Sequence, residues 1–368
     1  MRIPLSSPEI TEADIEAVVS VLKTPRLSIG PKIVEFERAI ADLSGHVAHG
    51  IAVNSGTTAL HLCLRALGVG EGDEVILPSF TFIAAGNAIL YERARPVFVD
   101  IEPCTLNLDP DKLERSITPK TRAILAVHTF GVPADMGPIM HIAGKYGVPV
   151  IEDACEAIGA RYRGQSVGGI GHFGVFGFYP NKPITTGEGG MVVTRDSRMA
   201  DIMRALRNQG RREQDGWLDH ALLGYNYRIS ELNCALGLEQ VKRIEDILDR
   251  RAAIARQYWE ELQLIPGVTP PPLEIPEGRV CWFVYVVRLD NPDAILETLQ
   301  GQGIGCARYF APLHRQPLFA PFANPRDDLK VTEQAASQTL ALPFFNQLTR
   351  QQIHEVCCAL GSAIRSIT

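Results

Sequence analysis

The sequence has no apolar run long enough to span a membrane and no block of lysine and arginine residues. A membrane-spanning helix needs about 20 mostly apolar residues, and nucleic-acid backbones are bound by clustered basic side chains. The 36 basic residues are outnumbered by 42 acidic ones, which gives a formal net charge of -6. The composition therefore predicts a protein that binds neither membranes nor nucleic acids.

The sequence also lacks the C-x-x-C spacing that is typical of zinc sites and redox centres. Its eight cysteines are scattered through apolar segments instead. This pattern predicts buried, reduced thiols and no metal site. The N-terminus carries no apolar signal-peptide core, and its acidic residues begin at Glu9. Both features favour a cytoplasmic protein.

The sequence does contain a regular alternation of short apolar strands and amphipathic helices. This alternation predicts an α/β domain with a mainly parallel sheet, whose ligands bind beyond the carboxyl ends of the strands. Thr57, Phe82 and Asp153 each follow a predicted strand, so we expect them to converge on one site. The predicted strands cover residues 51–53, 74–78, 96–100, 123–127 and 148–151, and the helices between them residues 59–67, 83–91, 109–116 and 135–146.

The C-terminal third of the chain predicts a second domain, and a length of 368 residues is ample for two. A long helical pattern covers residues 230–262, and a proline-rich linker at 266–276 follows it. We predict a large domain over residues 1–245, with an N-terminal helix and arm over 1–31, and a small α+β domain over 246–368. The small domain is expected to contain strands at 282–289 and 304–308 and helices at 292–302, 331–340 and 349–365.

Lys182 is the residue around which the chain can best be interpreted. It lies in the stretch FGFYPNKPITTGEGGMVVT (176–194), between an aromatic run and an apolar run. A single lysine in a loop is usually a solvated charge, but two buried strands around a tight glycine turn would place it at a cavity. A lysine in an apolar cavity loses its proton more easily and can form a Schiff base. We therefore hypothesise that Lys182 carries an aldehyde cofactor.

Two further sites and one misleading motif have alternative interpretations. The turn NSGTT (54–58) precedes a helix, so it predicts either an anion site or an ordinary helix cap. Asp153 ends a buried strand, where it predicts either a partner for a protonated pyridine nitrogen or a helix N-cap. Gly169, Gly171 and Gly174 form a G-x-G-x-x-G motif, but it does not lie between a strand and a helix. It does not predict nucleotide binding.

Seven segments together resemble the DegT/DnrJ/EryC1/StrS family of sugar aminotransferases, which depend on pyridoxal phosphate (PLP). The resemblance covers nearly the whole chain and implies the aspartate aminotransferase fold, PLP fold type I. This is an α/β fold with a mainly parallel seven-stranded sheet flanked by helices and a smaller C-terminal α+β domain. The segments are LSIGPKIVEFE (27–37), AVNSGTTALHL (52–62), LPSFTFIAAGNAI (77–89), PVFVDIEPCTLNLDP (96–110), VIEDACEAIGA (150–160), FYPNKPITTGEGGMVVT (178–194) and GYNYRISELNCALGL (224–238).

The resemblance implies cofactor roles for five residues. Lys182 corresponds to the lysine that binds PLP as a Schiff base and later moves a proton. Asp153 corresponds to the acid that keeps the pyridine nitrogen protonated, so that the ring can act as an electron sink. Phe82 corresponds to the aromatic residue stacked on the ring. Gly56 and Thr57 correspond to the phosphate-binding turn.

The resemblance also implies contacts beyond the cofactor ring. Asn226 corresponds to a residue that reaches the phosphate from the neighbouring subunit, which implies a homodimer with shared active sites. Tyr309 and His314 belong to RYFAPLHRQP (308–317), which resembles a loop near the sugar. For His314 the alternative is a solvated loop histidine.

The chain departs from the family pattern at two positions. Glu156 stands where many members have a glutamine or histidine that touches the cofactor ring. Gly177 stands where many members have a serine bonded to the phosphate, and backbone amides can replace only part of that contact. Both departures leave Lys182 and Asp153 in place, so the central chemistry is expected to persist.

The resemblance implies transfer of an amino group from L-glutamate to a keto-sugar, most simply a nucleotide-linked keto-deoxy sugar, to make an amino sugar. The alternatives are a cyclitol ketone as acceptor, a PLP-dependent sugar dehydratase, and a non-catalytic regulator with the same fold. Related dehydratases replace the lysine by histidine, and a regulator would be expected to lose Lys182 or Asp153. The presence of both residues favours transamination.

Overall fold

The computed structural model of the protein describes residues 2–212, 216, 219–275, 278–323 and 328–367. The strands, in chain order, are β1 (His49–Val53), β2 (Glu74–Pro78), β3 (Arg95–Val99), β4 (Thr121–Val127), β5 (Val150–Asp153), β6 (Arg161–Tyr162), β7 (Gln165–Ser166), β8 (Phe173–Gly177), β9 (Gly190–Thr194), β10 (Val268–Thr269), β11 (Gly278–Arg279), β12 (Tyr285–Leu289) and β13 (Thr339–Leu342).

Helices surround these strands. The α-helices, in chain order, are α1 (Glu12–Leu22), α2 (Pro31–Leu43), α3 (Gly56–Ala66), α4 (Ile83–Tyr91), α5 (Pro110–Leu113), α6 (Met136–Tyr146), α7 (Ser197–Arg207), α8 (Glu231–Lys242), α9 (Ile244–Leu262), α10 (Pro292–Gly301), α11 (Lys330–Gln338) and α12 (Arg350–Ile367). Short 3-10 turns cover Glu114–Ser116, Thr129–Gly131, Leu313–Arg315 and Ala320–Phe322.

A seven-stranded sheet forms the centre of the large N-terminal part. Its strand order is β1-β9-β8-β5-β4-β2-β3. The five strands from β8 to β3 are parallel, and β9 runs antiparallel to both of its neighbours. The predicted α/β fold with a mainly parallel sheet is therefore confirmed.

The central strands are apolar because both of their faces are covered by helices. In β4, Ile124 and Ala126 pack into one buried cluster, while Leu125 and Val127 pack into a second cluster on the opposite face. Such a strand has no polar face. In the sequence it therefore appears as a continuous apolar run and not as an alternation of apolar and polar residues. The carboxyl ends of β2, β4, β5 and β8 consequently meet at one edge of the sheet.

The glycine-rich segment 168–171 folds around a carboxylate of the chain itself. Glu152 lies in β5 and is fully buried. Its two carboxylate oxygens accept hydrogen bonds from the backbone N–H groups of Gly168 (2.8 Å), Ile170 (2.8 Å) and Gly171 (2.6 Å). His128 Nε2 lies 3.0 Å from the same carboxylate. These three amides are therefore engaged within the protein by a carboxylate of the chain itself.

A second layer follows in the C-terminal part, where a three-stranded sheet of order β10-β12-β13 packs with α9, α10 and α12. This arrangement is the predicted α+β unit. The proposed domain boundary at residue 245 stays a prediction, because it falls inside α9 and this helix packs into both parts of the protein. Ile247 lies in the core under the large sheet, and Tyr258 lies in the C-terminal core. Ile3 also packs into the C-terminal core and pairs with Ile304.

Several predicted elements differ from the structure, among them the helix predicted over 109–116, which is divided into α5 and a 3-10 turn. The long helix over 230–262 is divided at Arg243, whose backbone (φ -115°, ψ 19°) leaves the helical region between α8 and α9. The predicted strand over 304–308 makes only isolated bridges, at Ile304 and Ala307. In the predicted linker 266–276, residues 268 and 269 form β10, and residue 276 lies outside the described residues.

Candidate active site

A cavity of about 380 Å3 opens at the edge where the carboxyl ends of the strands meet. It brings together most of the residues predicted for the site, although these are separated by up to about 250 positions in the chain. The predicted residues in its wall are Gly56, Thr57, Phe82, Asp153, Glu156, Lys182 and Tyr309.

Lys182 lies inside this cavity and not on the surface. The loop that carries it joins β8 to β9, and it is closed by hydrogen bonds from Phe178 N to Gly189 O (3.0 Å) and from Thr186 N to Phe178 O (3.0 Å). Lys182 Nζ lies 3.8 Å from the centre of the Phe283 ring and 3.7 Å from Glu156 Oε1. The amine is therefore held beside an aromatic face and a carboxylate.

Asp153 is the last residue of β5, and its side chain is buried in the cavity wall. One carboxylate oxygen, Oδ1, accepts a hydrogen bond from Cys155 N at 3.1 Å. This contact orients the carboxylate, and Asp153 does not begin a helix, so the N-cap interpretation is not supported. The structure places a carboxylate where a protonated ring nitrogen could pair with it.

The turn before α3 combines a helix cap with accessible amides. Ser55 is the N-cap and accepts from Thr58 N at 3.1 Å, while Thr58 Oγ1 accepts from Ser55 N at 3.2 Å. The N–H groups of Gly56 and Thr57 have no acceptor within the helix, since first-turn amides never do. They lie in the cavity wall at the positive end of the helix dipole, where an anion is favoured.

Gly56 and Gly177 permit close packing beside this turn. A Cβ atom at Gly56 would lie 2.8 Å from Cys155 Sγ, and one at Gly177 would lie 3.3 Å from the same sulfur. Side chains at both positions would crowd the thiol. With glycine at 177 no side chain can bind an anion there, so the backbone N–H groups at the start of α3 remain as hydrogen-bond donors to an anion.

Substitution of Gly56 by alanine is expected to weaken PLP binding about tenfold. The added methyl group would overlap Cys155 Sγ, and overpacking of this kind costs about 1–3 kcal/mol. The dissociation constant would be measured by absorbance titration. A Gly56→Ala/Cys155→Ala double variant is the control, and it should recover most of the affinity; no recovery would show that the thiol is not the obstacle.

Glu156 is buried beside Lys182. Its Oε2 accepts a hydrogen bond from Phe130 N at 2.8 Å. Burial raises the pKa of this carboxyl above its ordinary value, although the nearby Lys182 charge and the Phe130 N–H partly offset the effect. Tyr309 lies in the same wall, and its phenol pKa is raised by burial and by the Glu156 charge.

Asn226 and His314 lie outside the cavity wall. Asn226 is exposed, and its backbone is bridged to Asn208 and accepts from Asn54 Nδ2 at 3.4 Å. His314 uses both ring nitrogens, with Nδ1 2.7 Å from Ser79 Oγ and Nε2 2.7 Å from Glu333 Oε1. It is neither solvated nor aimed at the cavity, so its predicted contact with the sugar has no support from this geometry.

Asn181, Phe283 and Phe310 are among the side chains of the cavity wall that were not predicted. Phe310 stacks on Phe130 with ring centres 5.3 Å apart. Because Phe310 directly follows the predicted site residue Tyr309, the sequence could have indicated that it lies near the cavity. Asn181 directly precedes Lys182, but a loop amide has no distinctive pattern. Phe283 reaches the cavity only because the C-terminal part packs against the large sheet.

The residues of the cavity fit PLP. Lys182 offers an amine for the aldehyde, Asp153 a carboxylate for the ring nitrogen, and the amides of α3 a site for the phosphate. Phe82 projects at the mouth with its side chain 58% exposed, free to stack on a ring. Asn181 Oδ1 is buried and has no hydrogen-bond partner among the described residues, as expected for a group that faces a ligand.

The fold and this set of groups define a PLP-dependent aminotransferase of fold type I. The chain belongs to the DegT/DnrJ/EryC1/StrS aminotransferase family, whose family model matches residues 8–361.

Individual relatives extend over almost the whole chain. GDP-perosamine synthase of Caulobacter vibrioides is 41% identical over 370 residues, which are 99% of this chain and 98% of that protein. The crystal structure of DesV from S. venezuelae is 37% identical with a TM-score of 0.89, covering 95% of this chain and 93% of that one. Spr1654 of Streptococcus pneumoniae, solved in a PLP form, is 26% identical with a TM-score of 0.94, and all of both chains is covered.

Proposed function

We propose that this aminotransferase moves an amino group from L-glutamate to a nucleotide-linked keto-deoxy sugar and so makes an amino sugar. The observation that carries the proposal is the meeting of Lys182, Asp153 and the amide end of α3 in one cavity. The similarity to GDP-perosamine synthase supports a nucleotide-linked sugar as acceptor. A cyclitol ketone is the alternative acceptor.

Each residue of the cavity has a defined task in this proposal. PLP, when bound, supplies an electron sink for the carbanion formed from the amino donor. Lys182 Nζ would hold the cofactor aldehyde and, once neutral and displaced, would take the proton from the α-carbon of glutamate. Asp153 would keep a proton on the ring nitrogen. Phe82 would cover one ring face, and Gly56 and Thr57 would hold the phosphate.

A cleft of about 1000 Å3 supports an acceptor that carries phosphates. Only Glu37 and Asp201 provide negative charge among the described residues of its wall, so basic side chains predominate there. Guanidinium groups suit phosphate oxygens because they donate two parallel hydrogen bonds. The cleft lies beside the GYNYR segment (224–228) that carries Asn226. The arginines of its wall are Arg198, Arg204, Arg207, Arg211, Arg212 and Arg228.

The proposal includes a homodimer, because Asn226 lies outside the cavity of its own chain. An exposed apolar surface, here called the N-terminal patch, offers the contact for a second copy. Large exposed apolar patches on a soluble protein mark interaction sites. The N-terminal patch consists of Ile10, Ile15, Val19, Leu22, Leu27, Ile29 and Val34, which are half of the exposed large apolar side chains described.

The part of the N-terminal patch around Ile29 is held rigidly. Ile29 has a φ of 47°, which a β-branched residue rarely adopts. The carboxylate of Glu231 fixes the neighbouring backbone by accepting from the N–H groups of Gly30 (3.1 Å), Lys32 (2.9 Å) and Ile33 (2.9 Å). A preformed apolar surface loses little entropy when a partner docks on it.

Substitution of Leu22 by aspartate is expected to weaken the dimer by at least about tenfold. Leu22 is 56% exposed at the end of α1 and lies outside the arginine-rich cleft, and a charge buried in an interface costs more than about 1.4 kcal/mol. Light scattering over a concentration series would measure the dissociation constant. Leu264→Asp is the matched control, because Leu264 is 82% exposed but outside the patch; equal effects of both substitutions would argue against this interface.

The absorbance spectrum of the PLP-loaded protein tests the donor half of the proposal. A yellow band that bleaches when L-glutamate is added, with one equivalent of 2-oxoglutarate released, is the expected result. A band that persists with L-glutamate would contradict the proposed donor. The aminated protein would then be mixed with nucleotide-linked keto-sugars and cyclitol ketones, and amination of the cyclitols alone would contradict the proposed acceptor.

The cellular location is the remaining part of the proposal. All eight cysteines are free thiols, which is the state expected in a reducing compartment. We therefore place the protein in the cytoplasm. Separately, none of the helices in the described part of the chain is long and apolar enough to cross a membrane.

A further inference from the structure

Glu156 is held in the cavity wall by contacts on two sides. Its Oε2 accepts from Phe130 N at 2.8 Å, and its backbone oxygen accepts from the Cys281 thiol at 2.9 Å. Phe130 lies in the left-handed region (φ 57°) within the turn Thr129–Gly131, so its N–H points in a direction that is fixed by the turn. The carboxylate therefore cannot turn away from the cavity without losing a buried hydrogen bond.

The second oxygen of this carboxylate faces the amine of Lys182. Glu156 Oε1 lies 3.7 Å from Lys182 Nζ. Across residues 2–212, 216, 219–275, 278–323 and 328–367, Glu156 is the carboxylate found within ion-pair distance of that amine. Asp153 is also in the wall, but its Oδ1 is engaged by Cys155 N.

We propose that Glu156 exchanges a proton with Lys182: Oε1 balances the charged ammonium in the resting protein and takes its proton when the neutral amine is needed. In the transfer, one N–H bond of Nζ breaks, an O–H bond forms at Oε1, and the electron pair stays on nitrogen. The reverse transfer restores the ion pair. No further reactant is required, and the inference rests on the proposed function only in making Lys182 the cofactor lysine.

The surroundings of Glu156 lower the cost of this exchange. Burial raises the pKa of Glu156, the Asp153 charge adds to the effect, and the Lys182 charge opposes it. When Nζ becomes neutral, the opposing influence disappears, so the carboxyl holds the proton more firmly. Proton transfer from Lys182 to Glu156 converts two buried charges into two neutral groups. It therefore removes the free-energy cost of holding these charges away from water.

The other titratable groups that face Glu156 are not suited to replace it. Burial raises the pKa of the Cys281 thiol to about 12 and that of Cys155 well above its ordinary value. Tyr309 also has a raised pKa. These three groups therefore stay protonated near neutral pH and cannot accept a proton from Nζ. Glu156 is the acceptor that the cavity offers at the right distance.

Glu156→Gln is the substitution that tests the exchange. Glutamine keeps the size of the side chain and an acceptor for Phe130 N, but it cannot take a proton. The rate of PLP capture by the cofactor-free protein would be followed by absorbance across pH, and the product would be confirmed by borohydride reduction and the mass of the peptide containing Lys182. We expect capture at neutral pH to slow by about 100-fold and to recover in alkaline solution, where hydroxide removes the proton.

Two further variants make the experiment selective. Glu156→Asp retains a carboxylate on a shorter stem, so its capture rate should lie between wild type and Glu156→Gln. A thermal unfolding curve would show whether Glu156→Gln folds. If it does not fold, the PLP capture rate of Glu156→Asp is the test, and a rate as fast as that of wild type would contradict the proposal. Glu188→Gln removes another carboxylate from the cavity wall, and it should leave the pH dependence of capture in place.

The proposal is wrong if Glu156→Gln captures PLP with the rate and pH dependence of wild type, because Glu156 would then only position Lys182. It is also wrong if Glu188→Gln shifts the pH dependence equally, since a general field effect would explain both. Failure of the proposed function is separable from these results. A wild-type protein that captures PLP but ignores L-glutamate would contradict the donor and leave the role of Glu156 intact.

Discussion

Replacement of Lys182 by alanine is expected to lower the rate of transamination by at least about 10^4-fold, the upper range for loss of a positioned acid–base group. The amine is both the covalent anchor and the proton carrier in the proposed function. Alanine leaves no amine between Phe283 and Glu156 to serve in either role. The measurement is single-turnover release of 2-oxoglutarate from L-glutamate by the PLP-loaded variant.

The control for this experiment is Lys145→Ala. Lys145 is exposed and pairs with Glu114 at 2.5 Å on the surface, and exposed ion pairs contribute little to stability. This variant should retain the wild-type rate. A Lys182→Ala protein that still turns over glutamate at a rate near wild type would contradict both the assignment of Lys182 and the enzymatic function built on it.

The absorbance band separates two causes of inactivity. Lys182→Ala should bind PLP without the yellow band of the lysine adduct, because the proposed phosphate site at α3 and the carboxylate of Asp153 remain. If the variant bound no PLP at all, the covalent bond would be the main source of affinity, and the contribution of the α3 amides would be smaller than their geometry indicates.

Several of the residues that were predicted for the site and lie in the cavity wall follow the ends of strands. Asp153 and the turn at Gly56 directly follow apolar runs, and in a parallel sheet such positions share one edge. Their meeting therefore follows from local pattern and topology. Lys182 lies beyond β8 and before the antiparallel β9, so its place in the cavity depended on the glycine turn that closes the loop.

Contacts between distant parts of the chain could not be predicted in the same way. Ser79 and His314 are 235 residues apart, yet their side chains are 2.7 Å apart. No periodicity connects a loop residue with its partner in a different layer, because the contact depends on how the C-terminal part packs. For the same reason the sequence did not indicate that Phe283 would lie over Lys182.

Glu152→Ala is expected to lower the free energy of unfolding by about 3–5 kcal/mol, the usual loss when one partner of a buried pair is removed. Four donors converge on this fully buried carboxylate, namely His128 and the amides of residues 168, 170 and 171. Alanine would leave all of them without an acceptor and would also leave a cavity. Urea unfolding followed by circular dichroism would measure the loss.

Two comparisons make this prediction specific to the buried network. Glu152→Gln keeps one carbonyl oxygen and should cost less, about 1–3 kcal/mol. Glu71→Ala removes an exposed carboxylate, 70% accessible in its pair with Arg93, and should change stability by less than about 1 kcal/mol. If Glu152→Ala unfolded at the same urea concentration as wild type, segment 168–171 would not depend on the carboxylate.

The Glu152 network also bears on the active site, because Asp153 is the next residue in β5. The strand is parallel to both β4 and β8 at this point, with Glu152 opposite Ala126 and Gly174. A Glu152→Ala protein that still folds should therefore bind PLP more weakly, since the end of β5, which carries Asp153, loses the hydrogen bonds that Glu152 makes. Glu71→Ala should bind PLP as wild type does. An unchanged PLP affinity in a destabilised Glu152→Ala protein would show that the sheet alone positions Asp153.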